Sequence, residues 1–154
     1  IQKEIPSKLL LIGEGPDRKK AERLAKRLKI KDKVYFLGNS SEIDKILCYS
    51  DLFILPSQTE SFGLAALEAM AAKTPVISSN AGGLPEVNIN GETGFLSDVG
   101  DIDDMVKNSL YILRDDNILA KFKLNAVEHT KKFALQNILP VYEDIYKACF
   151  ASKV

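Results

Sequence analysis

Two carboxylates eight positions apart, Glu60 and Glu68, bracket a turn of small and polar residues in P-S-Q-T-E-S-F-G-L-A-A-L-E-A-M, Pro56 to Met70. The run ahead of it, Leu52 to Leu55, has the composition of a strand, and Gly63 to Ala72 is patterned as a helix. A helix start presents unpaired N–H groups and a partial positive charge of about half a unit, so phosphate binds there readily. Gly63 carries no side chain and would let a phosphate come close to the backbone. Ser61 could cap the helix or donate to a ligand. Glu60 points a carboxylate at the same space, which makes sense if it accepts hydrogen bonds from hydroxyls such as those of a sugar. Glu68 lies five residues beyond Gly63, about 7–8 Å along a helix axis. Its neighbours Ala65, Ala66, Leu67, Ala69, Met70, Ala71 and Ala72 predict a helix buried nearly all round. A buried carboxylate needs partners, and a ribose diol would donate two hydrogen bonds to it.

Plainer roles stand beside these. Glu60 could be a solvated loop acid, Glu68 a structural acid bonded to a neighbouring loop, and Ser61 and Gly63 ordinary capping and turn residues. Gly13-Glu14-Gly15 begins like G-x-G-x-x-G, but Arg18 stands where the third glycine belongs, so the dinucleotide fingerprint fails and the two glycines read as turn residues. Gly82-Gly83 permits either a close backbone approach or a flexible turn before Pro85. The lone His129, in E-H-T-K-K, reads as a surface residue without chemistry. Arg18, Lys19 and Lys20 read as a solvated helix face rather than a phosphate site. No Ser/His/Asp or Cys/His set and no cluster with metal-ligand spacing is recognisable.

The elements that must position the turn follow from periodicity. Lys8 to Ile12 is a short apolar run ending at Gly13, the pattern of a strand buried on both faces. Asp17 can cap a helix to about Lys29, with Ala21, Leu24, Ala25 and Leu28 at helical spacing. Val34 to Leu37 is a strand ending at Gly38. Asn39, Ser40 and Ser41 offer caps for a helix over about Glu42 to Tyr49. Val76 to Ser79 is the fourth strand, Glu86 to Asn88 one helical turn, and Phe95-Leu96 a short fifth strand. Helices alone follow: Asp101 to Leu113, one capped by Asp115 or Asp116 and running to about Lys132, and a last one placed from about Asn137, which keeps Pro140 in the first turn. Short apolar strands alternating with amphipathic helices imply βαβ units and a Rossmann-like α/β fold, a parallel sheet with flanking helices. Ligands in such folds bind at the carboxyl ends of the strands. Four loops leave that edge: residues 13–17, 38–41, 56–63 and 79–85.

Bulk composition narrows the classes. The 154 residues suit one domain, 45% of them are hydrophobic, and 21 Lys and Arg balance 21 Asp and Glu. A formal charge of zero argues against a broad basic surface for nucleic acid. Cys48 and Cys149 form no CxxC pattern, and Cys48 reads as a buried apolar residue. No apolar run approaches the 18 residues of a membrane span, so a cytoplasmic protein is expected. The abrupt start suggests a piece of a longer protein.

Pro56 to Val87, with I-G-E-G-P (Ile12 to Pro16), V-Y-F-L-G (Val34 to Gly38) and G-E-T-G-F-L-S-D-V-G-D (Gly91 to Asp101), resembles the donor-binding signature of family 4 retaining glycosyltransferases. Within that family, E-S-F-G-L-x-x-L-E-A-M-A and the ending N-I-L-P-V-Y-E-D-I-Y, Asn137 to Tyr146, are similar to the N-acetylglucosaminyl L-malate synthases. The resemblance implies the C-terminal half of a GT-B fold: one nucleotide-sugar-binding domain over residues 1–154, with 135–154 as its C-terminal helix. It implies that Glu60, the catalytic-site acid, contacts the donor sugar. Ser61, Phe62, Gly63 and Leu64 would meet sugar and phosphate, Glu68 the ribose, and Tyr35, Leu37 and Gly38 the base. The family's phosphate-neutralising Arg and Lys, the domain's first strand and the N-terminal acceptor domain are expected outside this chain, and any peripheral membrane contact through that other half.

The implied reaction moves a hexose or N-acetylhexosamine from a UDP-sugar to an acceptor hydroxyl with retention, without metal or other cofactor. Glu60 and Glu68 then position substrate rather than act as bases, unlike the paired carboxylates of glycosidases. By itself the chain is expected to be inactive. The alternative is a non-catalytic nucleotide-binding or interaction module.

Overall fold

The computed structural model describes residues 1–151. Strands β1 (Leu9–Ile12), β2 (Val34–Gly38), β3 (Phe53–Leu55), β4 (Val76–Ser79) and β5 (Gly94–Ser97) alternate with helices α1 (Arg18–Arg27), α2 (Ile43–Cys48), α3 (Leu64–Ala71) and α4 (Leu84–Val87). The chain then turns all-helical through α5 (Ile102–Leu113), α6 (Asp116–Thr130) and α7 (Leu135–Ala151). Residues 152–154 of the expected last helix lie outside the described residues.

All ladder pairings are parallel, as the alternation predicts, but the strands form two ladders rather than one sheet. β1 pairs with β2, and β4 sits between β3 and β5. Each of β1 and β3 uses one edge for its partner, and no ladder joins the two. Periodicity along the chain says which segments are strands; it carries no information on which edges meet.

Burial follows the ladders. In β4 all four residues are buried, because successive side chains point to opposite faces and both faces are covered. Val76 packs with Ala66, Ala69, Met70, Leu84, Val87 and Ala126, whereas Ile77 packs with Met105, Ile112 and Phe122. Fully burying a side chain such as Met70 or Ile77 contributes about 1.5–3 kcal/mol, so most of the apolar driving force gathers around the second ladder. The expectation that β1 is buried on both faces fails: Leu9 and Leu10 keep 44% and 41% of their surface exposed, since β2 is the one element packed closely on β1 and its faces lie largely uncovered.

Helix ends sharpen the sequence reading. The Asp101 carboxylate accepts from the Asp104 amide at 2.9 Å, and Asp115, not Asp116, caps α6 by accepting from Asn117 at 2.8 Å and Ile118 at 3.3 Å. The last helix starts at Leu135, ahead of the expected Asn137, because the Ala134 carbonyl already accepts from Asn137 and Ile138. Pro140 therefore lies past the first turn, where its missing N–H removes one intrahelical bond. Cys48 is exposed rather than buried: in so short a helix one residue, Leu47, reaches the core, and its neighbour is rotated about 100° away.

Candidate functional site

The polar turn after β3 lines a cleft of about 680 Å³ at the carboxyl edge of the second ladder, with Gln58, Thr59, Glu60 and Ser61 on one side and Asn80, Ala81, Gly82 and Val99 on the other. Two short connections hold the walls. The Ser79 hydroxyl donates to the Ser57 carbonyl, and the Asn80 amide donates to the Ser97 carbonyl at 2.7 Å. Behind them Asn88, fully buried, donates to the Val76 and Phe95 carbonyls and to Ser78 Oγ, and accepts from Thr93. That side chain ties β4, β5 and α4 into one support.

The two-glycine loop is a close approach and not a loose turn. Gly82 has φ +54°, and a Cβ there would lie 1.6 Å from the Glu60 carbonyl oxygen. A Cβ on Gly83 would come within 2.7 Å of the Ser61 carbonyl. The Gly83 amide donates to the Glu60 carbonyl at 3.2 Å. Backbone thus packs directly on backbone, which only residues without side chains allow.

Glu60 is half-buried, and its Oε1 accepts from the Ser61 amide at 3.1 Å. Ser61 is exposed and makes no cap; Gly63, buried and left-handed at φ +100°, occupies the cap position without a side chain to contribute. The amides of Phe62, Gly63 and Leu64 form no hydrogen bond among the described residues. This leaves three unpaired donors at the positive end of α3.

Glu68 departs from expectation. It is exposed, as are Leu64, Ala65 and Ala71, while Ala66, Ala69 and Met70 face the core. The alanines made α3 look buried all round. Their small side chains suit a face that packs and a face that does not, so composition hides the helix's orientation. The case for Glu68 as a buried acid in need of partners falls away, and its position one turn along the open face of α3 remains.

Tyr35, Leu37 and Gly38 belong to the other ladder. Tyr35 and Leu37 are exposed, and Gly38 is buried at φ +69° with the Glu14 carboxylate beside its Cα. Arg18 pairs with both Glu14 and Glu22 and lies over the Phe36 ring, so it is not the freely solvated side chain its run suggested. The hydrogen bond to Glu22 and the charge of Glu14 raise its pKa further. The structure therefore groups Glu60, Ser61, Phe62 and Gly63 with the Gly82-Gly83 loop, and holds Tyr35 to Gly38 on a separate ladder.

Sequence reading missed Val99, which lies just past the carboxyl end of β5; the rule that sites gather at strand carboxyl ends could have pointed to it. It also misplaced His129, which is half-buried, with Nε2 shielded from solvent and without a hydrogen-bond partner among the described residues. Its ring stands edge-on to Phe133 at 5.4 Å, and Phe133 stands edge-on to Phe62 at 6.1 Å, so α6 reaches the underside of the turn. The described residues hold no group of three or more His, Cys, Asp or Glu able to bind a metal ion, and no helix long and apolar enough to cross a membrane.

The same architecture occurs in known proteins. A sucrose-phosphate synthase from Thermosynechococcus elongatus superposes with a TM-score of 0.84 at 31% identity, over 97% of this chain and 40% of that one. HepE of Anabaena, solved in complex with UDP, gives a TM-score of 0.81 at 24% identity, over 96% of this chain and 42% of that one. In sequence, the N-acetyl-alpha-D-glucosaminyl L-malate synthase of Bacillus anthracis is 40% identical over 144 residues, 93% of this chain and 38% of that protein. The chain thus spans about two-fifths of the length of these relatives. Residues 1–129 match the family model described as glycosyl transferases group 1. With the parallel α/β fold, the glycine-clamped turn and this match in hand, the chain belongs to the group 1 glycosyl transferases.

Proposed function

We propose that this chain is the nucleotide-sugar-binding half of a retaining glycosyltransferase of family 4, taking a hexose or N-acetylhexosamine from a UDP-sugar. The observation that carries the reading is the turn before α3: the amides of Phe62, Gly63 and Leu64 are unpaired among the described residues and lie at a helix start, two to four residues after Glu60. Unpaired donors at a helix N-terminus suit a diphosphate, and an adjacent carboxylate suits sugar hydroxyls. The kinship with an N-acetylglucosaminyl-transferring enzyme and a fold neighbour solved with UDP support the choice of donor.

In this reading an acceptor hydroxyl attacks the anomeric carbon as the bond to the diphosphate breaks. The departing phosphate oxygen takes the hydroxyl proton, and the sugar's configuration is retained. Charge grows on the leaving group, and the amides at the start of α3 stabilise it. Glu60 and Glu68 position the sugar and the ribose, with Tyr35, Leu37 and Gly38 at the base. The step requires no metal. The acceptor binds to a separate domain, and the chain is inactive without it. The protein is assigned to the cytoplasm.

Calorimetric titration of the folded chain with UDP and UDP-N-acetylglucosamine tests the proposal. Glu68→Ala weakens both ligands, whereas Glu60→Ala weakens the sugar nucleotide and spares UDP. Absence of binding at ligand concentrations on the order of 1 mM, about 4 kcal/mol of affinity, would return the chain to a non-catalytic module.

A further inference from the structure

The chain's zero net charge hides a segregation. Residues 1–35 carry eleven Lys and Arg against five Asp and Glu, and residues 36–154 carry ten against sixteen. Much of the positive excess surrounds a second groove of about 520 Å³, between α1 and the segment 31–36. Lys19, Arg23 and Lys26 recur at helical spacing on one flank of α1, and Lys31 lines the groove with them from the short 3-10 segment Lys31–Lys33. None of the four forms an ion pair among the described residues, although Asp17, Glu22, Asp32 and Glu42 all hold other cations nearby in sequence. Glu22 is the one acid on the groove wall, and it is already engaged by Arg18 at 3.2 Å. Val34 and Phe36 form the floor, and their apolar surface lowers the local dielectric and strengthens whatever charge pairing occurs above it.

We propose that this groove is a second anion site, taking a phosphate-bearing ligand. Four cations against one engaged carboxylate leave a surplus close to the charge of a diphosphate. Arg23 offers the planar fork that phosphate oxygens accept in pairs. Concave walls favour a compact anion over an extended chain. The groove shares no residue with the cleft at Glu60, so the inference stands apart from the donor reading. Both a free diphosphate and the phosphate headgroup of an acidic lipid carry this chemistry.

The test is a titration of inorganic pyrophosphate into the ¹⁵N-labelled chain at low salt, repeated with UDP present. Expected are amide shifts over residues 19–33, persisting with UDP and weakening as salt screens the charges. The double variant Arg23→Gln, Lys26→Gln, whose sites are exposed, should lose at least about tenfold in pyrophosphate affinity, the loss of two charge-assisted contacts, with its UDP titration unchanged. Co-sedimentation with phosphatidic acid vesicles against phosphatidylcholine vesicles separates the sources: binding to the former assigns the lipid headgroup, and pyrophosphate binding alone assigns the soluble ligand. Shifts confined to Ser61–Leu64, a double variant that binds as the parent does, or displacement of pyrophosphate by a single-stranded oligonucleotide would overturn the site.

Discussion

Replacing Gly82 by alanine isolates the contact that shapes the candidate site. Its new Cβ would stand 1.6 Å from the Glu60 carbonyl oxygen, where ordinary van der Waals contact needs 3.4 Å or more. Backbone must therefore retreat by well over 1 Å, and the Gly83 amide loses its 3.2 Å bond to that carbonyl. Left-handed backbone in a non-glycine residue adds about 1 kcal/mol, and overpacking about 1–3 kcal/mol more. The expected total is about 2–4 kcal/mol by urea unfolding. Gly91→Ala supplies the control: Gly91 is also left-handed, at φ +78°, but a Cβ there meets nothing within 4 Å, so it should cost only about 1 kcal/mol of backbone strain. Amide spectra should show Glu60 to Leu64 displaced in Gly82→Ala and undisturbed in Gly91→Ala, with weaker UDP-sugar binding in the former alone. Equal unfolding costs for the two variants would refute the close approach.

Asn88→Ala leaves the buried Val76 carbonyl, the part-buried Phe95 carbonyl and the Thr93 hydroxyl each short of one partner and should destabilise by about 2–4 kcal/mol; a loss below about 0.5 kcal/mol in chemical denaturation would contradict its bracing role. His129 is held below its ordinary pKa, first by burial and then by Lys132, against opposing contributions from the Val87 backbone and Glu92. Folding therefore favours the neutral ring. That stability is complete above about pH 6.5 and falls as pH drops through the lower folded value; a pH series of unfolding midpoints should show the decline in the parent and a flatter curve in His129→Asn. Cys48, being exposed, should react with a maleimide in the folded protein, and protection until denaturant is added would place it in the interior.

How much of the site could be seen without coordinates depended on the kind of residue. Turn and cap positions were legible in part, because they answer to local backbone physics: Gly63 read as a turn residue before α3 and Asp115 as one of two possible caps, whereas Gly82-Gly83 stayed open between a close approach and a flexible turn, Ser61 does not cap, and Asp101 was placed inside the helix it caps. The strands were legible for the same reason, from the short apolar runs at 9–12 and 76–79. Orientation was not. Glu68 faces outward, Cys48 is exposed and His129 is half-buried because each depends on which flank of a helix meets which neighbour. An alanine-rich helix gives no sign of that choice, and a single histidine in a charged stretch gives a misleading one.

By itself the sequence determined the alternation of strand and helix, the turn on which the candidate site is built, and the family signature spread from Ile12 to Asp101. The tertiary structure decided the pairing of strands into two ladders, the seating of backbone on backbone at Glu60 and Gly82, and the gathering of Lys19, Arg23, Lys26 and Lys31 around one groove. The division has a physical cause. Local preferences act over a few residues and are written in consecutive side chains. Edge pairing, burial and the meeting of like charges arise between segments far apart in the chain, and are set by the packing of whole faces against one another.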